Sequence, residues 1–156
     1  MSQPVSATCR AADGRSIERL LELMEEFYAY GSIAFDPIVA RRALGELLAT
    51  PSLGTVWIIE SDAETIGYAV VAFGFSLELG GRDAILDELY VRESYRGKGV
   101  GRTVLRVAED ACRDRGIGAL HLEVDETDER AQRFYASAGY RSRLSDAHNY
   151  LMTKRL

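Results

Sequence analysis

The sequence has few cysteines, no long hydrophobic run and no excess of positive charge. Its two cysteines, Cys9 and Cys112, lie far apart among 156 residues. That spacing matches no metal site or disulfide-rich scaffold, so we expect buried thiols in a reducing compartment. The longest apolar runs, such as 68–73, have the length of a strand, so no segment is predicted to span a membrane. The first residues show no basic stretch followed by an apolar core, so we expect no secretory signal and a cytoplasmic protein.

Positive charge is outnumbered by negative charge. The chain carries 19 lysines and arginines against 24 aspartates and glutamates, a net charge of −5. This balance argues against a nucleic-acid-binding protein with a basic face. The imbalance is uneven, because residues 1–88 carry a net charge of −8 and residues 89–156 one of +3. Such a division is typical either of a protein that binds two ligands of opposite charge or of chance clustering on a solvated surface.

The length and the apolar content, 47% of residues, predict a single domain over residues 1–156. The spacing of apolar residues predicts the element order β-α-α-β-β-β-α-β-α-β-β. The predicted strands are 8–11, 55–60, 65–76, 84–91, 119–124, 140–144 and 150–154, and the predicted helices are 16–30, 36–49, 99–115 and 128–138.

Short turns join the strands at 55–60, 65–76 and 84–91, so these three are expected to be antiparallel neighbours. The nearly continuous apolar content of 65–76 indicates a strand covered on both faces. We therefore expect an α/β (α+β) fold, with a mixed, largely antiparallel central sheet of six to seven strands flanked by about four helices.

The turn after the strand at 84–91 is the most informative segment. Glycines at 97, 99 and 101 alternate there with other residues, and Arg96, Lys98 and Arg102 add positive charge. Glycines let backbone N–H groups converge on an anion, and a helix start adds unpaired N–H groups and the positive end of the dipole. The spacing fits neither the GxxxxGK[ST] phosphate loop nor the GxGxxG dinucleotide fingerprint. The turn is therefore predicted to hold a phosphate, the alternative being a glycine-rich helix entry with nothing bound.

Two motifs in this region resemble those of a known family. The pattern Arg96-x-x-Gly99-x-Gly101 is similar to the pyrophosphate-binding motif of the GNAT superfamily, the acyl-CoA-dependent N-acyltransferases. Residues 128–140 are similar to a second motif of that family, roughly N-x-x-A-x-x-F-Y-x-x-x-G-F. This sequence has Asp128 where the family often has asparagine, and an ionised aspartate cannot donate a hydrogen bond as an amide can. We therefore leave Asp128 out of the site.

The resemblance implies the GNAT fold and acetyl-CoA as cosubstrate, with no metal. It implies that the turn holds the pyrophosphate and that the strand before it pairs with the pantetheine arm as an added strand would. It also implies that this strand and the strand after the next helix splay apart. The cofactor-binding residues expected on this basis are Leu89, Tyr90, Val91, Arg96, Gly97, Lys98, Gly99, Val100, Gly101, Arg102, Ala131 and Phe134.

Acetyl transfer to an amine requires the amine to lose a proton, and the leaving thiolate benefits from gaining one. The resemblance assigns the acid role to Tyr135, the alternative being an aromatic ring packed under the sheet. Glu88 and Asp87 are the candidate bases, because an acid in an apolar strand is costly to bury without a purpose. Strand alternation is expected to send these two acids to opposite faces. A structural ion pair with a helix arginine is the alternative for either one.

Other polar residues give weaker signals. Glu78 and Asp83 flank the Gly80-Gly81 turn and could attract a cationic amine, as could the acidic first helix. His121 is predicted to be a surface residue or a satisfied core residue. Neither histidine has a partner with the spacing of a nucleophile and base, so a covalent acyl-enzyme is not expected.

We therefore predict an N-acetyltransferase that transfers the acetyl group of acetyl-CoA to the primary amine of a small cationic molecule, by direct attack in a ternary complex. The alternatives are acetylation of protein lysines or N-termini, or a CoA-binding module without catalysis. The expected partner is the small-molecule amine, with no nucleic acid and no membrane. A homodimer formed through the strand that contains Tyr150 is a further possibility.

Overall fold

Helices and strands follow the predicted order up to residue 137. The computed structural model describes residues 5–142 and residue 154. These residues form two compact units, Met1–Glu123 and Val124–Leu156, of which the first contains the whole sheet. The elements are β1 Thr8–Ala11, α1 Ile17–Tyr30, α2 Pro37–Ala49, β2 Gly54–Ser61, β3 Glu64–Ser76, β4 Gly81–Val91, α3 Val100–Asp114, β5 Ala119–Leu122 and α4 Glu129–Ser137.

Local capping signals set the ends of the first two helices. Asp36 accepts hydrogen bonds from the backbone N–H groups of Ile38 and Val39, and Pro37 occupies the first turn of α2, where its missing N–H costs nothing. At the other end of α1, the Gly31 N–H donates to the Phe27 carbonyl. The predicted starts and stops of α1 and α2 are confirmed to within one residue.

The sheet of the first unit has the strand order β1-β2-β3-β4-β5. The first three pairings are antiparallel and the last, between β4 and β5, is parallel. The mixed character is confirmed, but the count of six to seven strands was wrong for the described residues, which form five. The predicted strand at 140–144 does not begin at Tyr140, because its N–H closes α4 by donating to the Tyr135 carbonyl. Most of that strand and of the one at 150–154 lies outside the described residues.

One face of the sheet is covered by α1 and α2. We call it the α1/α2 face and define it by the buried strand residues Val56, Ile58, Tyr68, Val70 and Tyr90, which pack with side chains of both helices. The main helix residues in this cluster are Leu20, Leu21, Leu23, Met24, Ala40 and Leu44.

The opposite face is buried as well. Strand alternation places Ala69 and Val71 there, and both are fully buried. Helix α3 contacts β1 and β4 and buries an apolar stripe of its own. The prediction that β3 is covered on both faces therefore holds as far as Val71. Beyond it Phe75 is exposed, because β3 and β4 extend past the helices as a hairpin.

A β-bulge divides β4 into two halves. Val70 of β3 lies opposite Glu88, whereas its neighbour Val71 lies opposite Leu86, so Asp87 is an extra residue without a partner on β3. The bulge reverses the side-chain alternation, since Leu86 and Glu88 would otherwise share a face. Glu88 thereby lies on the α1/α2 face, and Leu86 lies with Val71 on the opposite one.

The pairing of β4 with β5 ends just before the bulge. Their parallel pairing runs from Asp83 opposite Ala119 to Leu86 opposite Leu122 and ends there. In the described part of the chain, no strand pairs with β4 on its β5 side from residue 87 to residue 91. An unpaired edge of β4 at this point is what the predicted splay requires.

Candidate active site

The turn that follows β4 leads directly into the N-terminus of α3. Gly97 and Gly99 adopt left-handed conformations with φ of +73° and +88°, which L-residues with a side chain rarely occupy. Gly99 is the N-cap and supplies no side-chain hydrogen bond. The N–H groups of Val100 and Gly101 therefore have no carbonyl partner within the helix. A Cβ built on Gly99 would meet no atom within 4 Å, so this side of the turn is open.

Two cations of the turn, Arg96 and Lys98, lie against aromatic rings. The Arg96 guanidinium carbon lies 4.3 Å from the centroid of the Tyr30 ring, and Arg96 Nε donates to the Val91 carbonyl at 2.6 Å. Lys98 Nζ lies 5.7 Å from the centroid of the Tyr95 ring. Both cations lie beside the open turn. The hydrogen bond from Arg96 to the Val91 carbonyl also holds the turn against the end of β4.

The three residues predicted to pair with the pantetheine arm form the end of β4. Tyr90 is buried, and its hydroxyl donates to Glu26 Oε2 at 3.1 Å. Leu89 and Val91 are half-buried on either side of it. In the described residues this stretch has no strand paired on its β5 side, so its backbone edge is available to a ligand.

Glu88 is held by two tyrosines. The Tyr28 hydroxyl donates to its Oε1 at 2.5 Å, and the Tyr68 hydroxyl donates to its Oε2 at 2.6 Å. Burial raises the pKa of Glu88, against the opposing effect of these two hydrogen bonds. Burial and the neighbouring carboxylate raise the pKa of both tyrosines, so the phenols remain protonated donors.

The two tyrosines were not among the predicted site residues. Tyr28 lies 60 positions from Glu88 in the sequence and Tyr68 lies 20 positions away, so only the tertiary fold brings them together. The available signal is chemical: a tyrosine within an apolar helix stripe or an apolar strand must find a partner for its hydroxyl.

In the described part of the chain, neither Glu88 nor Asp87 forms the ion pair with a helix arginine that was their alternative role. The acid that forms an ion pair here is Glu26, with Arg92, which directly follows β4. Glu26 of α1 binds Arg92 through two hydrogen bonds of 2.7 and 3.0 Å, and Arg92 also donates to the Thr65 carbonyl. Arg92 lowers the pKa of Glu26. Asp87 is exposed at the bulge, so the regular alternation expected between the two candidate bases is interrupted there.

The second unit contains the residues of the second motif. Asp128 caps α4 by accepting a hydrogen bond from the Ala131 N–H at 2.9 Å, so that amide is already engaged. The Tyr135 ring packs against Phe134 and Tyr140, with centroid distances of 5.0 and 5.9 Å. Burial, followed by the charge of Asp128, raises the pKa of Tyr135, so its hydroxyl keeps its proton at neutral pH.

Comparison with known families settles the classification. Residues 17–140 match the family model described as the acetyltransferase (GNAT) family. The chain belongs to the GNAT acetyltransferase family. Within the described residues, no helix is both long and apolar enough to cross a membrane. The same residues contain no group of three or more histidine, cysteine or acidic side chains that could hold a metal ion.

Similar proteins support this GNAT assignment. The chain is 31% identical over 74 residues to thialysine N-epsilon-acetyltransferase of Bos taurus, covering 47% of this chain and 43% of that protein. It is 30% identical over 82 residues to streptothricin acetyltransferase of Streptomyces lavendulae, covering 53% and 41%. The chain thus spans less than half the length of both curated relatives. An integron cassette protein from the mobile metagenome of Cole Harbour Salt Marsh is 33% identical, with a TM-score of 0.83 over 95% of this chain and 90% of that one.

Proposed function

We propose that this GNAT chain transfers the acetyl group of acetyl-CoA to a primary amine, with Glu88 as the proton acceptor. The observation that carries the proposal is the position of Glu88, a partly buried acid on the strand that leads into the open turn at Gly99. Acyl transfer to an amine requires a site for the charged thioester donor and a proton acceptor for the amine. The anion-binding turn and Glu88 provide these two features on one short segment.

The residues of the turn fit a diphosphate. The left-handed glycines expose backbone N–H groups, no side chain caps α3, and a Cβ at Gly99 would project into open space. In this proposal Gly97 to Arg102 hold the diphosphate, with Arg96 and Lys98 adding charge. The backbone of residues 89–91 holds the pantetheine arm, and Ala131 and Phe134 complete the cofactor contacts. Acetyl-CoA supplies the acetyl group as a thioester.

Glu88 removes a proton from the incoming ammonium in this proposal. A primary alkylamine has a pKa of about 10.4, so nearly all of it is protonated at neutral pH and cannot attack. The two tyrosine donors fix the carboxylate in one orientation. Burial raises the pKa of Glu88 and makes it a stronger base than a solvated glutamate. Asp87 is the second candidate base.

Tyr135 is the proposed acid for the leaving thiolate. This role rests on the similarity of residues 128–140 to the family motif. The raised pKa of Tyr135 keeps its phenol in the protonated form at neutral pH.

The proposed acceptor is a small cationic molecule. The first 88 residues carry a net charge of −8, which favours a cationic substrate over an anionic one. Thialysine N-epsilon-acetyltransferase, by its name, acetylates an amine on a small molecule. A protein lysine or N-terminal amine is the alternative acceptor.

The proposal is tested by calorimetry with CoA and by a thiol-release assay across small amines and lysine peptides. We expect CoA to bind the wild type and to lose at least about tenfold in affinity in Gly99→Asp, because the new carboxylate would face the diphosphate. Gly45→Asp, within α2, is the matched control. Absence of CoA binding to the wild type would refute the proposal. Binding without turnover on any amine would favour a module without catalysis.

A further inference from the structure

The α1/α2 face continues along the sheet beyond the two helices. The strand pairings place Ala72 and Gly74 of β3, Asp83 and Ile85 of β4, and His121 of β5 on this continuation. The cluster packed beneath α1 and α2 reaches Val70 and includes none of these five residues. Glu88 lies opposite Val70, at the point where the helix-covered part of the face ends.

Asp83 and His121 form a pair on this continuation. His121 Nε2 lies 3.4 Å from Asp83 Oδ2, and the two side chains are 29% and 21% exposed. A Cβ built on Gly74 would lie 2.6 Å from Asp83 Oδ1, so the carboxylate lies directly over the glycine backbone. Only glycine at position 74 leaves the Asp83 carboxylate where it is.

The charge on this face is negative. Arg82 precedes Asp83, but it lies opposite Phe75 and therefore on the other face. No lysine or arginine lies among the described strand residues of this face. These residues are those on this face from Val70 to Gly74, from Asp83 to Glu88, and His121. A ligand group that approaches Asp83 from this side therefore meets a carboxylate without a competing strand cation.

The separation of Asp83 from Glu88 sets the size of a molecule that could reach both. The two residues are five positions apart on one strand, and the bulge at Asp87 takes up one position. At about 3.3 Å per residue, their Cα atoms are roughly 13 Å apart.

We propose that Asp83, beside His121, binds a second cationic group of the acceptor while the reacting amine lies at Glu88. The inference rests on the proposed function, which places that amine at Glu88. It specifies the substrate class as molecules that carry two ammonium groups, spaced on the scale of the roughly 13 Å between these Cα atoms, rather than simple monoamines. A cation paired with a half-buried carboxylate gains a charge-assisted hydrogen bond that a methyl group cannot make.

The test compares α,ω-diaminoalkanes of increasing length with monoamines of the same length, on the full chain. By calorimetry we expect the best-matched diamine to bind about tenfold more tightly than its monoamine. Asp83→Asn should abolish this preference and leave monoamine binding within about twofold. Gly74→Ala should reduce it without a change of charge, because its Cβ would displace the carboxylate. Glu60→Gln, which breaks a surface ion pair with Arg10 on β1, is the matched control.

The outcomes separate this inference from the proposed function. In the thiol-release assay, Asp83→Asn should raise KM for the diamine with little change in kcat, and neither constant should change for the monoamine. Equal binding of diamines and monoamines by the wild type overturns the inference, as does a preference that survives both substitutions. Acetylation of monoamines would then still support the proposed function. A diamine preference without thiol release would support the subsite and contradict the proposed transfer.

Discussion

Tyr68 and Glu88 are diagonal neighbours on β3 and β4, and the buried Tyr68 hydroxyl donates to Glu88 Oε2 at 2.6 Å. Tyr28 approaches the other carboxylate oxygen from α1. This carboxylate-centred contact therefore joins a helix to two strands. A residue proposed for catalysis thus also contributes to the packing of the fold.

Tyr68→Phe should destabilise the protein and change the titration of Glu88. Loss of a buried hydrogen bond to a charged group costs about 1.5–3 kcal/mol in the free energy of unfolding. The bond also lowers the pKa of Glu88, so its loss should raise that pKa further. Urea denaturation and the pH dependence of kcat/KM measure the two effects. Tyr95→Phe, which removes an exposed hydroxyl bonded to Glu64, is the stability control and should show little change.

Glu88→Gln should remove the base. The wild-type kcat/KM should rise with pH through the pKa of Glu88, at a pH above the ordinary glutamate value of about 4.3, because only the carboxylate accepts a proton. In Glu88→Gln this limb should disappear and kcat should fall by about 100-fold or more. A larger loss in Asp87→Asn than in Glu88→Gln would assign the base to Asp87 instead.

Glu26→Gln should destabilise the protein in a pH-dependent way. Arg92 lowers the pKa of Glu26 in the folded state. The ion pair therefore adds stability above the unfolded-state pKa of about 4.3, and this stability is lost as the pH falls through the lower folded-state value. We expect a loss of about 1 kcal/mol at pH 7, reduced by solvent screening of the partly exposed carboxylate. Denaturation curves of wild type and variant should differ at neutral pH and converge at strongly acidic pH.

Gly67→Ala should be far more damaging than Gly45→Ala. A Cβ on Gly67 would lie 2.1 Å from the Tyr90 carbonyl oxygen, so β3 and β4 would have to separate. We expect a loss of about 3 kcal/mol in the free energy of unfolding. Gly45→Ala meets no atom within 4 Å inside α2 and should stabilise the protein by up to about 1 kcal/mol. Equal denaturation midpoints for the two variants would contradict this account.

Local chemistry was enough to predict most elements. The N-cap of Asp36 followed by Pro37, and the glycine at position 31, act within one helical turn and can be recognised in the sequence. The turn at Gly97 and Gly99 was recognised for the same reason, because its conformation depends on residues next to one another.

The parts that the sequence did not predict depend on pairing between distant segments. Nothing in residues 84–91 marks Asp87 as an inserted residue, because a bulge is defined by the register with β3. The tyrosine partners of Glu88 and the contact between Asp83 and His121 likewise join residues from different elements. The acids and the histidine stand out in the sequence as polar residues, whereas the two tyrosines do not, and all of these pairings depend on the fold.

The extra residue at Asp87 fixes the phase of β4. If Asp87 paired with β3 as a regular strand residue, the half of the strand before it would have to turn over. Leu86 would then leave the buried side of the sheet, and Asp83 would move away from Gly74 to the far side. Deletion of Asp87, by contrast, would make Leu86 and Glu88 sequence neighbours on opposite faces, as they are now. The apolar anchor, the distal carboxylate and the proton acceptor therefore keep their faces only while this one position stays outside the ladder.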